Sequence, residues 1–194
     1  TARRAPADSK VRFASHRRYL YRLDYVEEWP SEPDPVTLNK ACSLIEGKHD
    51  FTNLSRVEED RDSVRTVDEC VPWCSDDGHL VGFSISARSF VWNQVRRIAS
   101  ALAGIASGRI TTAELESALR CPEISTDLGR APAEGLVLWS ISHPDFESPM
   151  PDQMPDSSSL SKRPANHREY RRWLSMAGYE MSALLEREWL ARIR

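Results

Sequence analysis

Residues 64–87 read VRTVDECVPWCSDDGHLVGFSISA. Val64 to Trp73 has the composition of a strand, and Leu80 to Ala87 is a second apolar, β-rich run. Asp76-Asp77-Gly78 between them is turn chemistry, with a glycine free to take positive φ. The stretch predicts a β-hairpin in the middle of the chain, and its flanks read as helices. Upstream, Val36, Leu38, Ala41, Leu44 and Ile45 recur at helical spacing. Asp34 serves that helix as N-cap, Pro35 takes its first position and Gly47 closes it. Downstream, a helix is predicted from about Ser89 to Ala106, ended by Gly108, and a short one opens at Thr111 or Thr112 with Glu114 close behind. The outermost signals are strands: Arg17 to Val26 (RRYLYRLDYV) alternates, and Gly135 to Ile141 (GLVLWSI) is a short apolar run stopped by Pro144. The order strand, helix, strand, strand, helix, helix, strand predicts an α+β, ferredoxin-like split βαβ sandwich, an antiparallel sheet with helices on one face.

The expected organisation is a polar, basic lead-in over 1–15, one domain over 16–145, a linker over 146–165 rich in Pro, Ser and Asp, and a helical extension over 166–194. The extension carries Tyr170, Trp173, Leu174, Ala177, Met181, Leu184, Leu185 and Leu190 on a highly charged helix, interrupted once by Gly178. Packing back onto the domain is the first expectation for such a stripe; serving a partner is the second.

The 194 residues are 40% hydrophobic, enough for one compact domain, and the net charge of −3 rules out a strongly basic polyanion binder. Charge is uneven. Residues 1–25 hold Arg3, Arg4, Lys10, Arg12, Arg17, Arg18 and Arg22 against Asp8 and Asp24, and residues 86–113 hold Arg88, Arg96, Arg97 and Arg109 with no acid. Two such segments can build a local anion-binding face, or be ordinary solvated charge. The four cysteines lack the paired short spacing of a zinc site, and no apolar run is long enough to span a bilayer. The expectation is a soluble protein of a reducing compartment, without metal, and no Gly-rich nucleotide loop or HExxH is present.

In residues 89–98, SFVWNQVRRI, the adjacent arginines point about 100° apart, so they cannot do one job. On a helical wheel Arg96 lies beside Trp92 and Ala103, and Arg97 beside Asn93 and Gly104 on the wetter side. Arg96 is thus the better candidate for a partly buried ion pair, and Arg97 for a phosphate contact or solvated charge.

Taken in order, RRYLYRL (17–23), EGKHDF (46–51), SVRTVDE (63–69), SARSFVWNQVRRIAS (86–100), SGR (107–109) and APAEGLVLWSISHP (131–144) resemble the C-terminal half of the TruA-type tRNA pseudouridine synthases over roughly residues 12–144. The resemblance implies isomerisation of uridine to pseudouridine in tRNA, in the anticodon stem-loop, with no cofactor. It implies a homodimer sharing tRNA and a cytoplasmic location, or a nuclear or organellar one in a eukaryote. The family mechanism breaks the N-glycosidic bond, turns the uracil and joins C5 to the ribose, on a base taken out of its stack.

Tyr19 falls at the first tyrosine of the family's R-x-Y-x-Y strand, where its ring can stack on uracil and its hydroxyl can accept or relay the C5 proton. Arg96 falls at the arginine of the V-R helix motif, which holds a carboxylate. Leu136, from APA-x-GL, is the expected apolar wall; Arg18, Arg97 and Arg88 are expected on the substrate. Phe90 reads as core, and His49-Asp50-Phe51 as a structural helix end. The family's nucleophilic aspartate sits in an R-T-D-x-G-V-H-A type segment of the N-terminal half, which this sequence lacks. Arg65-Thr66-Val67-Asp68 has the wrong spacing. The expected partner is therefore an N-terminal half that carries the aspartate. The alternative is a ferredoxin-like RNA-binding or protein-interaction module without catalysis.

Overall fold

The computed structural model describes residue 10 and residues 13–56, 62–75, 77–145 and 154–193. The centre is the hairpin. β3 (Val64–Cys74) and β4 (Leu80–Ala87) pair antiparallel around the turn that contains Asp77 and Gly78, and Gly78 takes φ 79°. β1 (His16–Arg22) lies against the other edge of β4 and is followed by β5 (Leu136–Ser142). β2 (Gly47–Asp50) adds to the outer edge of β3, giving an antiparallel five-stranded sheet in the order β2-β3-β4-β1-β5. The α+β sandwich expected from the hairpin is the fold observed.

α1 (Pro35–Ile45) begins as the sequence predicts, with both carboxylate oxygens of Asp34 accepting from the Val36 and Thr37 amides. α3 (Thr112–Arg120) opens with a capping box between Thr111 and Glu114. α2 (Gln94–Ala106) starts about five residues later than its apolar pattern suggests, because residues 91–94 form a turn instead. The chain leaves β1 by a 3-10 turn at Leu23–Tyr25, so the predicted strand over 17–26 is shorter than its alternation. β2 replaces the helix end expected at His49 and Asp50. Asp50 accepts hydrogen bonds from Thr52 and Ser63, and Phe51 is fully buried.

One core joins α1, α2 and α3 to one face of the sheet, with Leu38, Ile45, Ile98, Leu102 and Leu115 packed on Tyr21, Phe83 and Ile85. The opposite face takes the extension. α4 (His167–Ile193) lays Met181 and Leu184 on Leu20, Trp73, Val81 and Trp139, and its first half sets Tyr170, Trp173 and Ala177 against Tyr25. Burying each of the larger side chains contributes about 1.5–3 kcal/mol before the entropy of ordering the helix. Leu190, part of the same sequence stripe, stays exposed.

An ion cluster seals this contact. Arg22 is 1% exposed and donates to Asp24 (2.8 Å), to Glu180 of α4 (2.7 Å) and to the Ser161 carbonyl, with its guanidinium over the Trp173 ring. Arg163 reaches the carbonyls of Val26 and Glu27 and stacks on Tyr170. The basic segment read at 1–25 is therefore not one solvent face, because Arg22 is withdrawn into the interior. The lead-in residues 1–9, 11 and 12, like 146–153, lie outside the described residues. Among the described residues, no helix is long and apolar enough to cross a membrane.

Candidate active site

Alternation along β1 sends Tyr19 and Tyr21 to the face that bears α1–α3, and Leu20 to the face that bears α4. Tyr19 sits opposite Ile85 on β4 and Leu138 on β5; Tyr21 sits opposite Phe83 and Leu136. The half-buried Tyr19 ring meets Phe90 edge to face, centroids 5.2 Å apart. Burial raises the Tyr19 hydroxyl pKa, only partly offset by Arg17, so it holds its proton at neutral pH. Tyr21 is fully buried and donates to the Pro132 carbonyl at 2.8 Å. Gly135 has to be glycine here: a Cβ would stand 2.9 Å from the Tyr21 ring and 3.1 Å from the Arg22 carbonyl.

Arg96 projects from the first turn of α2 towards the segment that leads into β5. Its Nε donates to the Ala131 carbonyl at 2.9 Å, while the Ala131 amide donates back to the Arg96 carbonyl at 3.0 Å. A long contact of 3.4 Å joins Nη1 to the Asn93 side chain. Its charge reaches Tyr21, where it opposes the upward push of burial on that hydroxyl. Among the described residues no carboxylate pairs with Arg96; the guanidinium is fixed at Nε, and its fork makes only the long contact with Asn93. Trp92, its neighbour on the wheel, is 51% exposed. The wheel assumed helix from Ser89, and α2 begins only at Gln94.

The structure brings Tyr19, Leu136 and Arg96 together around Tyr21 and the 131–136 segment. Phe90 joins them as the packing partner of Tyr19, a role hidden by its plain apolar character. Other expected residues lie elsewhere. Arg18 points to the opposite face of the sheet, bound to Glu69 at 2.6 Å and Ser84 at 3.1 Å. Arg97 pairs with exposed Asp127 at 2.9 Å. Arg88 is exposed at the end of β4, where its carbonyl accepts from Arg17. Among the described residues there is no cluster of three metal-ligating side chains.

The class of domain is an α+β half-sandwich that sets a tyrosine, an apolar side chain and an arginine around one segment. Residues 41–144 match the model of a family described as tRNA pseudouridine synthase, a match that includes Arg96 and Leu136 and starts after Tyr19. Relatives named tRNA pseudouridine synthase A occur in Methanocorpusculum labreanum (34% identical, 78% of this chain and 51% of the relative), Thermococcus kodakarensis (34%, 69% and 46%) and Mesorhizobium japonicum (33%, 72% and 60%). The chain belongs to the tRNA pseudouridine synthase family, a family of isomerases. It spans about half the length of the curated relatives it matches.

Proposed function

We propose that the chain is the C-terminal half of a tRNA pseudouridine synthase and that its substrate is a uridine of the tRNA anticodon stem-loop. The supporting observation is the Arg96 guanidinium, tethered by Nε to Ala131, with only a long contact from Nη1 to Asn93 and no carboxylate on its fork among the described residues. In this reading the fork holds and orients the nucleophilic aspartate, which is supplied by an N-terminal half outside these 194 residues. A bidentate arginine keeps that carboxylate ionised and aimed at the nucleotide.

Tyr19 and Leu136 enclose the flipped uracil. The glycosidic bond from N1 to the ribose breaks, the base turns, C5 bonds to the ribose, and the C5 proton leaves while N1 gains one. A tyrosine that keeps its proton at neutral pH acts as a relay, accepting on its oxygen as it gives up its own hydrogen, rather than as a phenolate base. Arg88 and Arg97 serve the tRNA backbone in this reading, Arg97 by exchanging Asp127 for phosphate.

The experiment is pseudouridine mapping in an unmodified tRNA transcript. A longer protein joining an N-terminal half to this sequence is expected to convert uridine, and the 194-residue chain alone is expected to leave the transcript unchanged. Turnover by the chain alone overturns the division of labour. Absence of turnover in the longer protein overturns the enzymatic reading and leaves a binding module.

A further inference from the structure

Trp92 is 51% exposed, although α2 and the core lie directly beneath the residues on either side of it. Full burial of a large apolar side chain stabilises a protein by about 1.5–3 kcal/mol, and this one is held away from that gain by specific geometry. The turn beneath it is closed twice: the Val91 amide donates to Gln94 Oε1 at 2.8 Å, and the Gln94 amide donates to the Val91 carbonyl at 3.1 Å. Asn93 completes the turn in the left-handed region, at φ 63°, a conformation in which asparagine is the best tolerated side chain after glycine. The Trp92 carbonyl accepts from the Arg56 amide at 2.8 Å, which pins a second segment beside it. The Arg56 guanidinium then lies over the indole, 4.3 Å from the ring centroid.

The arrangement is a flat, rigid surface on a fixed stalk. Arg56 is exposed, and among the described residues its guanidinium donors have no hydrogen-bond acceptor. The surface also sits at a defined place. Phe90, two residues before Trp92, packs on Tyr19; Arg96, four residues after it, holds the opposite side of the candidate site. Residues 86–113 around it contain four arginines and no acid. An indole already stacked with a guanidinium suits a nucleobase, whose π-face adds to the stack while the free donors meet its phosphate.

We infer that Trp92 and Arg56 form a preformed stacking site for an unpaired RNA nucleotide next to the one that enters the candidate active site. The inference rests on the synthase reading of that site and assigns the neighbouring nucleotide a seat of its own. It is tested by equilibrium binding of the 194-residue chain to a labelled, unmodified tRNA transcript and to a short single-stranded oligoribonucleotide. Trp92→Ala is expected to weaken both by about tenfold, and Trp92→Phe, which keeps a stacking ring, to recover most of the loss. Arg56→Ala is expected to weaken binding and to lower the salt slope by about one unit. The thermal unfolding midpoint is expected to stay where it is in all three, since both side chains are exposed.

Unchanged affinity in Trp92→Ala overturns the inference, and so does a loss of affinity that travels with a lowered unfolding midpoint, which marks a folding role. No RNA binding by the unsubstituted chain also overturns it. The pseudouridine assay on the longer protein then reports separately whether the functional reading survives.

Discussion

Arg96 and Arg97 are neighbours in sequence with different surroundings. Arg96 is fixed by a reciprocal pair of hydrogen bonds with Ala131, and Arg97 pairs through Nη1 with an exposed carboxylate. An exposed pair contributes about 0.2–1 kcal/mol and is readily exchanged. An arginine that must orient a nucleophile acts in the transition state, where losing one such contact lowers turnover by about 100-fold or more. Arg96→Ala in the longer protein is therefore expected to reduce kcat by at least that factor. Arg97→Ala is expected to change turnover by less than about tenfold and to act mainly on KM. Steady-state kinetics on one tRNA transcript separates them, and equal losses would remove the distinction. The separation of the two arginines was legible in the sequence, but its stated reason was not. The wheel placed Trp92 beside Arg96, whereas Gln94 Oε1 accepts from the Val91 amide to close a turn, and Trp92 is 51% exposed. A local side-chain bond of this kind leaves no trace in apolar periodicity.

At the scale of elements, caps and turns were the most legible features. Asp34-Pro35, Thr111 with Glu114, and the turn at Asp77-Gly78 all do what their chemistry dictates. β2 was missed because its four residues, Gly-Lys-His-Asp, carry no apolar alternation and exist as a strand only by pairing with β3. In the alternation over 17–26, Arg18, Leu20, Arg22 and Asp24 fall opposite the tyrosines; α4 packs on Leu20 from that side, and Arg22 is buried through partners far away in sequence. The cluster has a pH signature. Burial outweighs the neighbouring Arg22 and pushes the Asp24 carboxyl up to about 6 from an ordinary value of 3.8. The native state therefore binds more protons at Asp24 than the unfolded chain does between those values, so its contribution to stability falls as pH rises from about 4 to about 6 and is level above that. Asp24→Asn abolishes this titration. Denaturant unfolding of both proteins across that window is expected to show the stability of wild type relative to the variant decreasing with pH; an increase would mean that the ion pair, not burial, dominates Asp24.

For the whole molecule, a net charge of −3 coexists with an arginine-bearing side around α2. Association with tRNA is expected to weaken steeply as salt rises, with the slope counting the phosphates neutralised. Arg22 is outside that count because Asp24 and Glu180 already neutralise it, whereas Arg88 and Arg97 are inside it. Affinity measured between about 50 and 200 mM salt checks this, and a flat response would return the basic residues to ordinary solvated charge. The sequence made the sandwich legible through its hairpin and the family through ordered motifs. It could not show that the two faces of the sheet are divided, with α1–α3 on one and the extension on the other, because that division depends on contacts as distant as Arg22 with Glu180.

Among the described residues β1 is the first strand to be synthesised, and it ends in the interior of the sheet, between β4 and β5. Its second neighbour begins only at Leu136. At ordinary rates of translation, that interval is on the order of ten seconds. Until then Leu20 and Tyr21, both fully buried in the finished fold, have no complete environment on the ribosome. The same connectivity that gives Tyr19 a neighbour on each side thus makes late completion a property of β1 itself.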